Sequence, residues 1–285
     1  MNTEVRSSLL AINDWGHPYR IDGKEVPLER PWFSQWHPWR WSVDRPTIEQ
    51  AVGALADKSV LDVGCQDGWY SFEAAKAGAR AVGIDFREEA IQRANMLRSY
   101  FGINNASFMV GNVEDAQTLH GSFDVVLNYG LLYHLADPIT VMRRLGAVTK
   151  RIMAVQTFIH ALDRAPVLHL LRESVGLSGK GATELIATPS GRAVVLMFKE
   201  AGFDHVYRAM PTDYRANAKP TGSDGYWQWS FWYGVKGEPL AETSTLRRVN
   251  ETDVPLNHYG VLSKARGLAR ATARRIRGRD TIGGF

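Results

Sequence analysis

The sequence of 285 residues contains a single cysteine, Cys65, and no long hydrophobic run. One thiol can form neither a disulfide within the chain nor a cysteine-based zinc site. No stretch reaches the roughly 20 apolar residues of a membrane-spanning helix, and residues 1–4 lack the basic and apolar segments of a signal peptide. Internal repeats are absent too. These absences favour a cytoplasmic protein without a transmembrane segment, in which 45% hydrophobic residues suffice for a large core.

Basic charge is scarce outside the C-terminal end. The chain has a net charge of +4, but residues 261–285 hold seven Lys or Arg and one Asp. The other 260 residues are therefore net negative, at −2. This distribution argues against a broad phosphate-binding surface on the main body, and it leaves nucleic-acid binding to a local patch or to the tail.

A strand, a glycine-containing turn and a helix are predicted in succession near residue 60. Residues 60–63 are apolar and partly β-branched, as in a buried strand, and an alanine-rich run over 71–77 indicates a helix. Between them lie Gly64 and Gly68, where the lack of a Cβ lets a ligand approach the backbone. This order is typical of the first unit of a nucleotide-binding α/β sheet.

The spacing of the two glycines indicates which ligand the turn binds. Dinucleotide-binding loops follow G-x-G-x-x-G, whereas Gly64 and Gly68 are four residues apart and Asp62 precedes Gly64 by two. The pattern resembles the [DE]-x-G-x-G-x-G loop of methyltransferases that use S-adenosylmethionine (SAM), with Gln66 in place of the middle glycine. The turn therefore favours SAM over a dinucleotide.

A second acidic residue ends the next predicted strand. Residues 81–85 are apolar up to Asp85, which follows Gly68 by 17 residues. A carboxylate at this strand tip can accept hydrogen bonds from both ribose hydroxyls of an adenosyl group. The alternative is a helix cap, because Glu88 stands three residues later, as in a capping box. The two motifs in this order favour the ligand role for Asp85.

Four segments carry a resemblance to a known family, namely residues 62–72, 83–85, 128–134 and 137–138. Together they resemble class I SAM-dependent methyltransferases, and most of all the branch that includes the tRNA wobble-uridine carboxymethyltransferase, which uses carboxy-SAM, and its biosynthetic relatives. The resemblance covers roughly residues 35–236. It implies a Rossmann-like α/β fold of seven strands, the last inserted antiparallel, with helices on both faces. It also implies SAM as the cofactor, with carboxy-SAM as the alternative donor.

Hydrophobic periodicity predicts strands and helices in alternation. A short helix is predicted within 3–12, and further helices over 46–56, 70–77, 88–101, 138–148 and 189–201. Strands are predicted over 60–63, 81–85, 106–110, 123–128, 151–157, 203–210 and 226–235. Residues 123–128 are almost continuously apolar, which is typical of a central parallel strand.

Three regions follow from this pattern. Residues 1–45 form an aromatic N-terminal arm, residues 46–238 the SAM-binding methyltransferase domain, and residues 239–285 a basic C-terminal tail. Within the domain, residues 159–188 interrupt the alternation and are predicted as an insertion over the acceptor site. Residues 262–279 of the tail indicate either a basic amphipathic helix or a disordered end.

The arm is rich in tryptophan and interrupted by proline. Five of the nine tryptophans fall between Trp15 and Trp41, and prolines 18, 27, 31 and 38 disfavour a regular helix there. Such a segment must cover an apolar surface. One interpretation is a cover packed on the sheet, or a contact between the subunits of a homodimer. The other is a lid whose residues Trp36, Trp39 and Trp41 form one wall of a substrate pocket.

Residues near the predicted strand ends are the candidates for binding SAM. They are Asp62, Gly64, Cys65, Gln66, Gly68, Asp85, Phe86, Asn112, Val113, Glu114 and Asn128. By the resemblance, Asn112 replaces a carboxylate that accepts from the adenine amino group, and Val113 supplies a backbone N–H. The alternative for Asn112 is an ordinary polar turn.

Proton removal from a hydroxyl acceptor needs a base near the methyl group. His134 follows the fourth predicted strand, at the edge where open α/β sheets bind ligands, and imidazole titrates near neutrality. We therefore predict His134 as the general base, with Tyr133 orienting donor or acceptor and Tyr129 contacting the substrate. The alternative is that His134 caps the next helix or stabilises the loop.

Other histidines are weaker candidates for the base, namely His37, His160 and His169. No grouping of histidines and carboxylates in the sequence demands a metal, so no metal site is predicted.

Three functions remain open at this point. The arm, the insertion and the non-basic body favour O-methylation of a small-molecule hydroxyl, such as a sugar or a secondary metabolite. The alternative is modification of tRNA, which the resemblance and the basic tail support, although Arg215 is the only arginine in residues 211–224 that could bind carboxy-SAM. The third is a SAM-fold protein without transfer activity, or an NAD-binding protein.

Overall fold

The computed structural model describes residues 3–160, 165–173, 181–209 and 227–254. In these ranges the helices are α1 (Thr3–Leu10), α2 (Phe33–Val52), α3 (Trp69–Lys76), α4 (Glu88–Phe101), α5 (Pro138–Val148) and α6 (Gly191–Glu200). The strands are β1 (Arg20–Ile21), β2 (Lys24–Glu25), β3 (Ser59–Val63), β4 (Arg80–Asp85), β5 (Ala106–Val110), β6 (Phe123–Tyr129), β7 (Thr149–His160), β8 (Leu168–Arg172), β9 (Leu185–Pro189), β10 (His205–Ala209), β11 (Trp227–Val235) and β12 (Leu246–Val249). A 3₁₀ turn covers Leu132–His134. None of the described helices combines the length and the apolar character that crossing a membrane requires.

One eight-stranded sheet organises the molecule, in the order β12-β10-β11-β7-β6-β3-β4-β5. Strands β3 to β7 pair in parallel, whereas β11 runs antiparallel between β7 and β10. The predicted α/β class, the seven strands and the antiparallel insertion of the last of them are confirmed. Strand β12 adds an eighth strand to the prediction, paired antiparallel with β10 at the edge.

Both faces of the sheet are buried, because successive residues of the central strands enter different cores. In β3, Val60 belongs to the core formed with the arm, α2 and α3. Its neighbour Leu61 belongs to the core formed with α5 and α6. The same alternation holds for Val125 and Val126 in β6. Two-sided burial explains why these strands are mostly apolar.

Helix α2 is where the structure departs most from the prediction. The arm was expected to be irregular up to residue 45, but α2 begins at Phe33 and contains Pro38 and Pro46. Both prolines are exposed, while Trp36, Trp41 and Ile48 are buried against the sheet. Burial of this aromatic face offsets the hydrogen bonds that the prolines remove from the helix.

A two-stranded hairpin lies within the predicted insertion over residues 159–188. Strands β8 and β9 pair antiparallel, and the backbone N–H of Ala187 donates to the carbonyl of Leu135 at 2.9 Å. The hairpin therefore packs against the loop that follows β6. The predicted helix over 262–279 and Arg215 lie outside the described residues.

Candidate active site

A cleft opens at the carboxyl edge of the sheet, above the ends of β3, β4 and β6. Of the residues predicted as functional, its larger compartment contains Asp62, Gly64, Cys65, Gln66, Asp85, Phe86, Trp36, Tyr129, Tyr133 and His134. A smaller compartment contains Asn112, Val113 and Glu114. The two compartments share Gly64, Asp85 and His134, so they form one continuous cleft.

Gln66 explains how the turn after β3 keeps its shape without its middle glycine. Its backbone has φ +54°, in the left-handed region, which side chains other than glycine adopt at a small cost. The Gln66 carboxamide fills the space beside Gly16 of the arm, where a Cβ would collide with it. The substituted residue thus preserves the turn and joins the turn to the arm.

Asp62 and Cys65 lie buried at the floor of the larger compartment. The Asp62 carboxylate accepts from the backbone N–H of Ser71 at 3.1 Å and from its hydroxyl at 2.7 Å. Burial raises the pKa of Asp62 to about 6, although the hydrogen bonds from Ser71 oppose this. Burial also raises the pKa of the Cys65 thiol well above its ordinary value. The thiol therefore stays protonated near neutral pH.

Asp85 lies at the tip of β4 and is held on several sides. Its Oδ2 accepts from the backbone N–H of Gln66 at 2.9 Å. The Arg87 guanidinium donates to both carboxylate oxygens at 3.0 Å. Helix α4 has Arg87 at its N-cap position with no side-chain cap, so the capping-box alternative for Asp85 and Glu88 is not what the structure contains. Asp85 remains buried at the junction of the two compartments.

The smaller compartment is built on the turn after β5. The side-chain oxygen of Asn112 accepts from the backbone N–H of Glu114 at 3.0 Å, so it stabilises the turn and retains one lone pair for a ligand. The Glu114 carboxylate accepts from the backbone N–H of Ala136 at 3.1 Å. Glu114 thereby joins this turn to the loop before α5.

The His134 side chain lines both compartments and is paired with the carboxylate of Glu173, which follows β8. Its Nδ1 lies 2.6 Å from Oε2 of Glu173, and both side chains are largely buried. Glu173 Oε2 also accepts from the backbone N–H of Gly181 at 3.0 Å. The ring of Tyr133 lies 4.0 Å from the His134 ring, and burial raises the pKa of the Tyr133 hydroxyl. A histidine held by a carboxylate is an arrangement that can accept a proton at its other nitrogen.

The arm closes the opposite side of the cleft. His17 contacts Asp67 through Nδ1, and the Tyr19 hydroxyl donates to the Asp67 carbonyl at 2.9 Å. Trp36 and His37 of α2 line the larger compartment, together with Arg40. Trp39 and Trp41 do not line the larger compartment. The Trp39 ring packs edge-on against the Phe231 ring, and the Trp41 ring packs at a tilt against the Tyr70 ring.

Four other predicted residues lie away from the lining. Gly68 is the N-cap of α3 with φ +86°, and Asn128 is fully buried in β6. The rings of His160 and His169 lie 4.7 Å apart, outside both compartments. No group of three potential metal ligands occurs among the described residues.

Comparison with known proteins agrees with this geometry. Residues 55–175 match the family model described as "Methyltransferase domain". The crystal structure of the N-terminal domain of EvdMO1 with S-adenosylhomocysteine (SAH) bound superposes with a TM-score of 0.66 at 20% identity, covering 83% of this chain and 98% of that one. Residues 55–175 therefore resemble a methyltransferase domain, and the fold of the chain is that of the EvdMO1 N-terminal domain.

Curated relatives match part of this chain over part of their own length. A tRNA U34 carboxymethyltransferase from Alteromonas mediterranea is 31% identical over 134 residues, which are 45% of this chain and 37% of the relative. A ubiquinone biosynthesis O-methyltransferase from Bordetella parapertussis is 36% identical over 103 residues, which are 36% of this chain and 43% of the relative. The chain thus spans less than half of the length of either relative.

Several residues that line the cleft were not predicted from the sequence. They are His17, Arg40, Tyr70 and Gln156. Two carboxylates were missed as well, namely Asp67, which pairs with His17, and Glu173, which pairs with His134. Arg40, on helix α2, was missed with that helix. Asp67 lies 50 positions from His17, and Glu173 lies 39 positions from His134. A local sequence pattern does not predict contacts between residues so far apart.

Proposed function

We propose that this protein transfers a methyl group from SAM to a hydroxyl of a small molecule. The observation that carries the proposal is the His134–Glu173 pair at 2.6 Å, in a cleft whose domain matches a methyltransferase family. The name of the Bordetella relative supports O-methylation. A structure of the EvdMO1 N-terminal domain in the presence of SAH and D-fucose supports a sugar as one class of acceptor.

We assign the donor to the two-compartment cleft. Asp85 at the junction would accept from ribose hydroxyls in place of the Arg87 guanidinium, with the turn at residues 112–114 beneath the adenine. Gly64 has φ +67°, and its missing Cβ leaves the floor of the cleft open for close approach. Bound SAM supplies an activated methyl group on a positively charged sulfur.

His134 takes the proton of the acceptor hydroxyl in this proposal. Glu173 holds Nδ1, which leaves Nε2 as the proton acceptor and stabilises the imidazolium that results. Tyr133, Trp36 and Trp229 form apolar walls of the larger compartment, where they exclude water and give a sugar or an aromatic ring flat surfaces to pack on.

Thermal unfolding with added nucleotides tests the donor. SAM or SAH at 100 times its dissociation constant should stabilise the protein by about 2.7 kcal/mol, which raises Tm by roughly 5–10 °C, whereas NAD should have no effect. Asp85→Asn should remove most of this shift. Asp124→Asn is the matched control, because Asp124 binds Ser59 at the start of β3 rather than the cleft. A wild-type protein that neither SAM nor SAH stabilises would contradict the proposal.

A tRNA acceptor is the second candidate, favoured by the names of several relatives. Binding of tRNA should weaken steeply with salt, since each phosphate contact releases counterions. A small-molecule enzyme should show almost no such dependence. A steep salt dependence of tRNA affinity at micromolar protein concentration would therefore favour the second candidate over the first.

A further inference from the structure

The carboxylate that pairs with His134 receives a second hydrogen bond from the residues that lead into β9. Oε2 of Glu173 lies 2.6 Å from Nδ1 of His134 and accepts from the backbone N–H of Gly181 at 3.0 Å. Only 6% of the Glu173 side chain is exposed. A buried carboxylate oxygen that receives two hydrogen bonds is fixed in position, and both bonds favour its ionised form.

Gly181 also packs directly on the backbone of His134. A Cβ at position 181 would collide with the carbonyl oxygen of His134 and would lie 3.2 Å from the His134 Cβ. The φ of Gly181 lies outside the left-handed region, so the backbone conformation does not demand glycine. The close approach of the two backbones does, because only a residue without a Cβ fits between them.

The same residue belongs to the donor side of the cleft. Gly181 and Ala182 line the smaller compartment together with the turn at residues 112–114. Five residues after Ala182, the backbone N–H of Ala187 donates to the carbonyl of Leu135. Contacts at Gly181 and at Ala187 therefore hold this segment against two consecutive residues of the β6 loop, His134 and Leu135.

The orientation of the imidazole depends on where the Glu173 oxygen is held. A histidine that donates from Nδ1 to a carboxylate has one tautomer and one ring plane, and it presents Nε2 to a reacting group. The negative charge beside Nδ1 also stabilises the imidazolium. Loss of the Gly181 N–H would remove one of the bonds that keep Oε2 against Nδ1, and with it part of both effects.

We propose that Gly181 is a positioning residue for the general base. Its N–H fixes the Glu173 carboxylate, and its lack of a Cβ lets the segment close on His134. The inference rests on the proposed function for the role of His134 as the base. It adds that this base is assembled by a backbone group on the wall of the donor compartment rather than by side chains alone.

NMR of the wild-type protein tests the assembly without an acceptor. The amide proton of Gly181 should titrate with the same apparent pKa as the His134 ring, because both groups bind one carboxylate oxygen. In Glu173→Gln this pH dependence of the amide should disappear. The pKa of His134 should then fall by roughly one pH unit, since the paired negative charge is lost. A Gly181 amide in wild-type protein that does not respond to the His134 titration would overturn the proposal.

Other ionisable groups near His134 stay the same in the two proteins. Tyr133 contacts the imidazole ring, and Asp85 and Glu114 line the smaller compartment with it. Their charges act on His134 equally before and after the substitution. The difference between wild type and Glu173→Gln therefore reports the Glu173 charge.

Gly181→Ala should reproduce part of the Glu173→Gln effect although the carboxylate is still present. We expect the pKa of His134 to fall by about half a pH unit and turnover to fall by about 10-fold. Ala182→Gly is the matched control, because Ala182 is the next residue and lines the same compartment; it should leave both quantities unchanged. A wild-type pKa of His134 in Gly181→Ala would overturn the proposal.

Two outcomes are kept apart by this design. The amide titration in wild-type protein decides the role of Gly181 even where Gly181→Ala does not fold. A failure of SAM and SAH to bind the wild type would instead overturn the proposed function, whatever the titration of Gly181 shows.

Discussion

Two histidines that line the cleft each contact a buried carboxylate, and the two pairs come from different parts of the chain. His134 pairs with Glu173 of the hairpin segment, and His17 of the arm pairs with Asp67. The His17 ring packs edge-on against the His37 ring at 4.4 Å, which encloses it among aromatic side chains. His134 instead borders both compartments, so it is the better placed of the two to meet an acceptor beside the donor.

Replacing His134 should remove catalysis and retain donor binding. We expect His134→Gln to lower turnover by about 10²- to 10⁴-fold, the usual contribution of a general base, with SAH affinity within a few-fold of wild type. Turnover is measured by SAH release with the first sugar or phenol that supports activity. His17→Gln serves as the comparison. If His134→Gln retains wild-type turnover, or if His17→Gln loses more turnover than His134→Gln does, His134 is not the general base.

Asp44 should make stability depend on pH in an unusual direction. Burial raises its pKa to about 6, and the hydrogen bond from Tyr233 and the charge of Arg40 offset only part of this. The folded state therefore holds the proton more tightly than the unfolded state, whose carboxyl titrates near 4. As pH rises from about 4 through 6, ionisation of Asp44 costs folding stability, by at most about 3 kcal/mol.

Asp44→Asn removes that cost. The variant should be more stable than wild type above about pH 6, and the difference should disappear near pH 4 in urea unfolding curves. Asp124→Asn should behave in the opposite sense. Burial is the largest single effect on the pKa of Asp124 and raises it, but the hydrogen bonds from Ser59 and the charge of Lys150 together outweigh burial and lower the pKa. The ionised form of Asp124 therefore stabilises the fold, and that stability is lost as pH falls. A pH-independent effect of Asp44→Asn would contradict this account.

At the scale of elements, β3 and α3, on either side of the turn, could be predicted from the sequence to within one residue at each end. Central parallel strands are mostly apolar, and glycines mark the turn between them and their helices, so local pattern suffices there. Helix α4 was predicted to the residue for the same reason, from one apolar face with clear ends.

Other elements depend on contacts that local pattern does not contain. Helix α2 forms despite Pro38 and Pro46 because its aromatic face is buried by the sheet. Strand β12 buries only its end residues, Leu246 and Val249, while its two arginines are exposed, so it has no strand-like alternation. The pairing of His134 with Glu173 likewise exists only once the hairpin packs against the β6 loop.

The two glycines of the turn should respond differently to alanine. Both have positive φ, which costs a Cβ about 1 kcal/mol. A Cβ on Gly68 would also lie 2.5 Å from the Phe108 ring, whereas one on Gly64 would meet Leu131 at an ordinary 3.4 Å. We expect Gly68→Ala to lose a further 1–3 kcal/mol or so of stability through overpacking, and Gly64→Ala to lose mainly SAH affinity.

Urea unfolding and SAH calorimetry separate these two effects. Adding Phe108→Leu to Gly68→Ala should relieve the collision, so that the double variant is less destabilised than the sum of its single changes. Equal unfolding midpoints for Gly64→Ala and Gly68→Ala would show that the Phe108 contact is not the source of the difference.

At the scale of the whole molecule, the cleft joins segments that are far apart in sequence. The arm, the turn after β3, the β6 loop, the end of β7 and Trp229 of β11 all line one compartment. Residues 255–285 lie outside the described part of the chain, and they carry a net charge of +6, against +4 for the whole chain. The proposed small-molecule function assigns these residues no part in binding the donor.

Removal of residues 261–285 should therefore leave donor binding unchanged. We expect the shortened chain to show the same SAH-induced rise in Tm and small-molecule turnover within about twofold, since the described lining of the cleft is retained in full. The same pair of proteins, compared for tRNA affinity at low and moderate salt, tests the alternative acceptor. A large loss of tRNA affinity on deletion, with a shallower salt slope, would favour that alternative.

The tryptophan side chains that line the cleft make ligand binding detectable by intrinsic fluorescence. Trp36 and Trp229 line the compartment with ring centres 6.0 Å apart, and Trp32 lines it at its outer side. Any molecule that enters displaces solvent from these rings and alters their emission. Intrinsic fluorescence should accordingly follow occupancy in real time without a label, so that a library of hydroxylated compounds can be screened before any product is known.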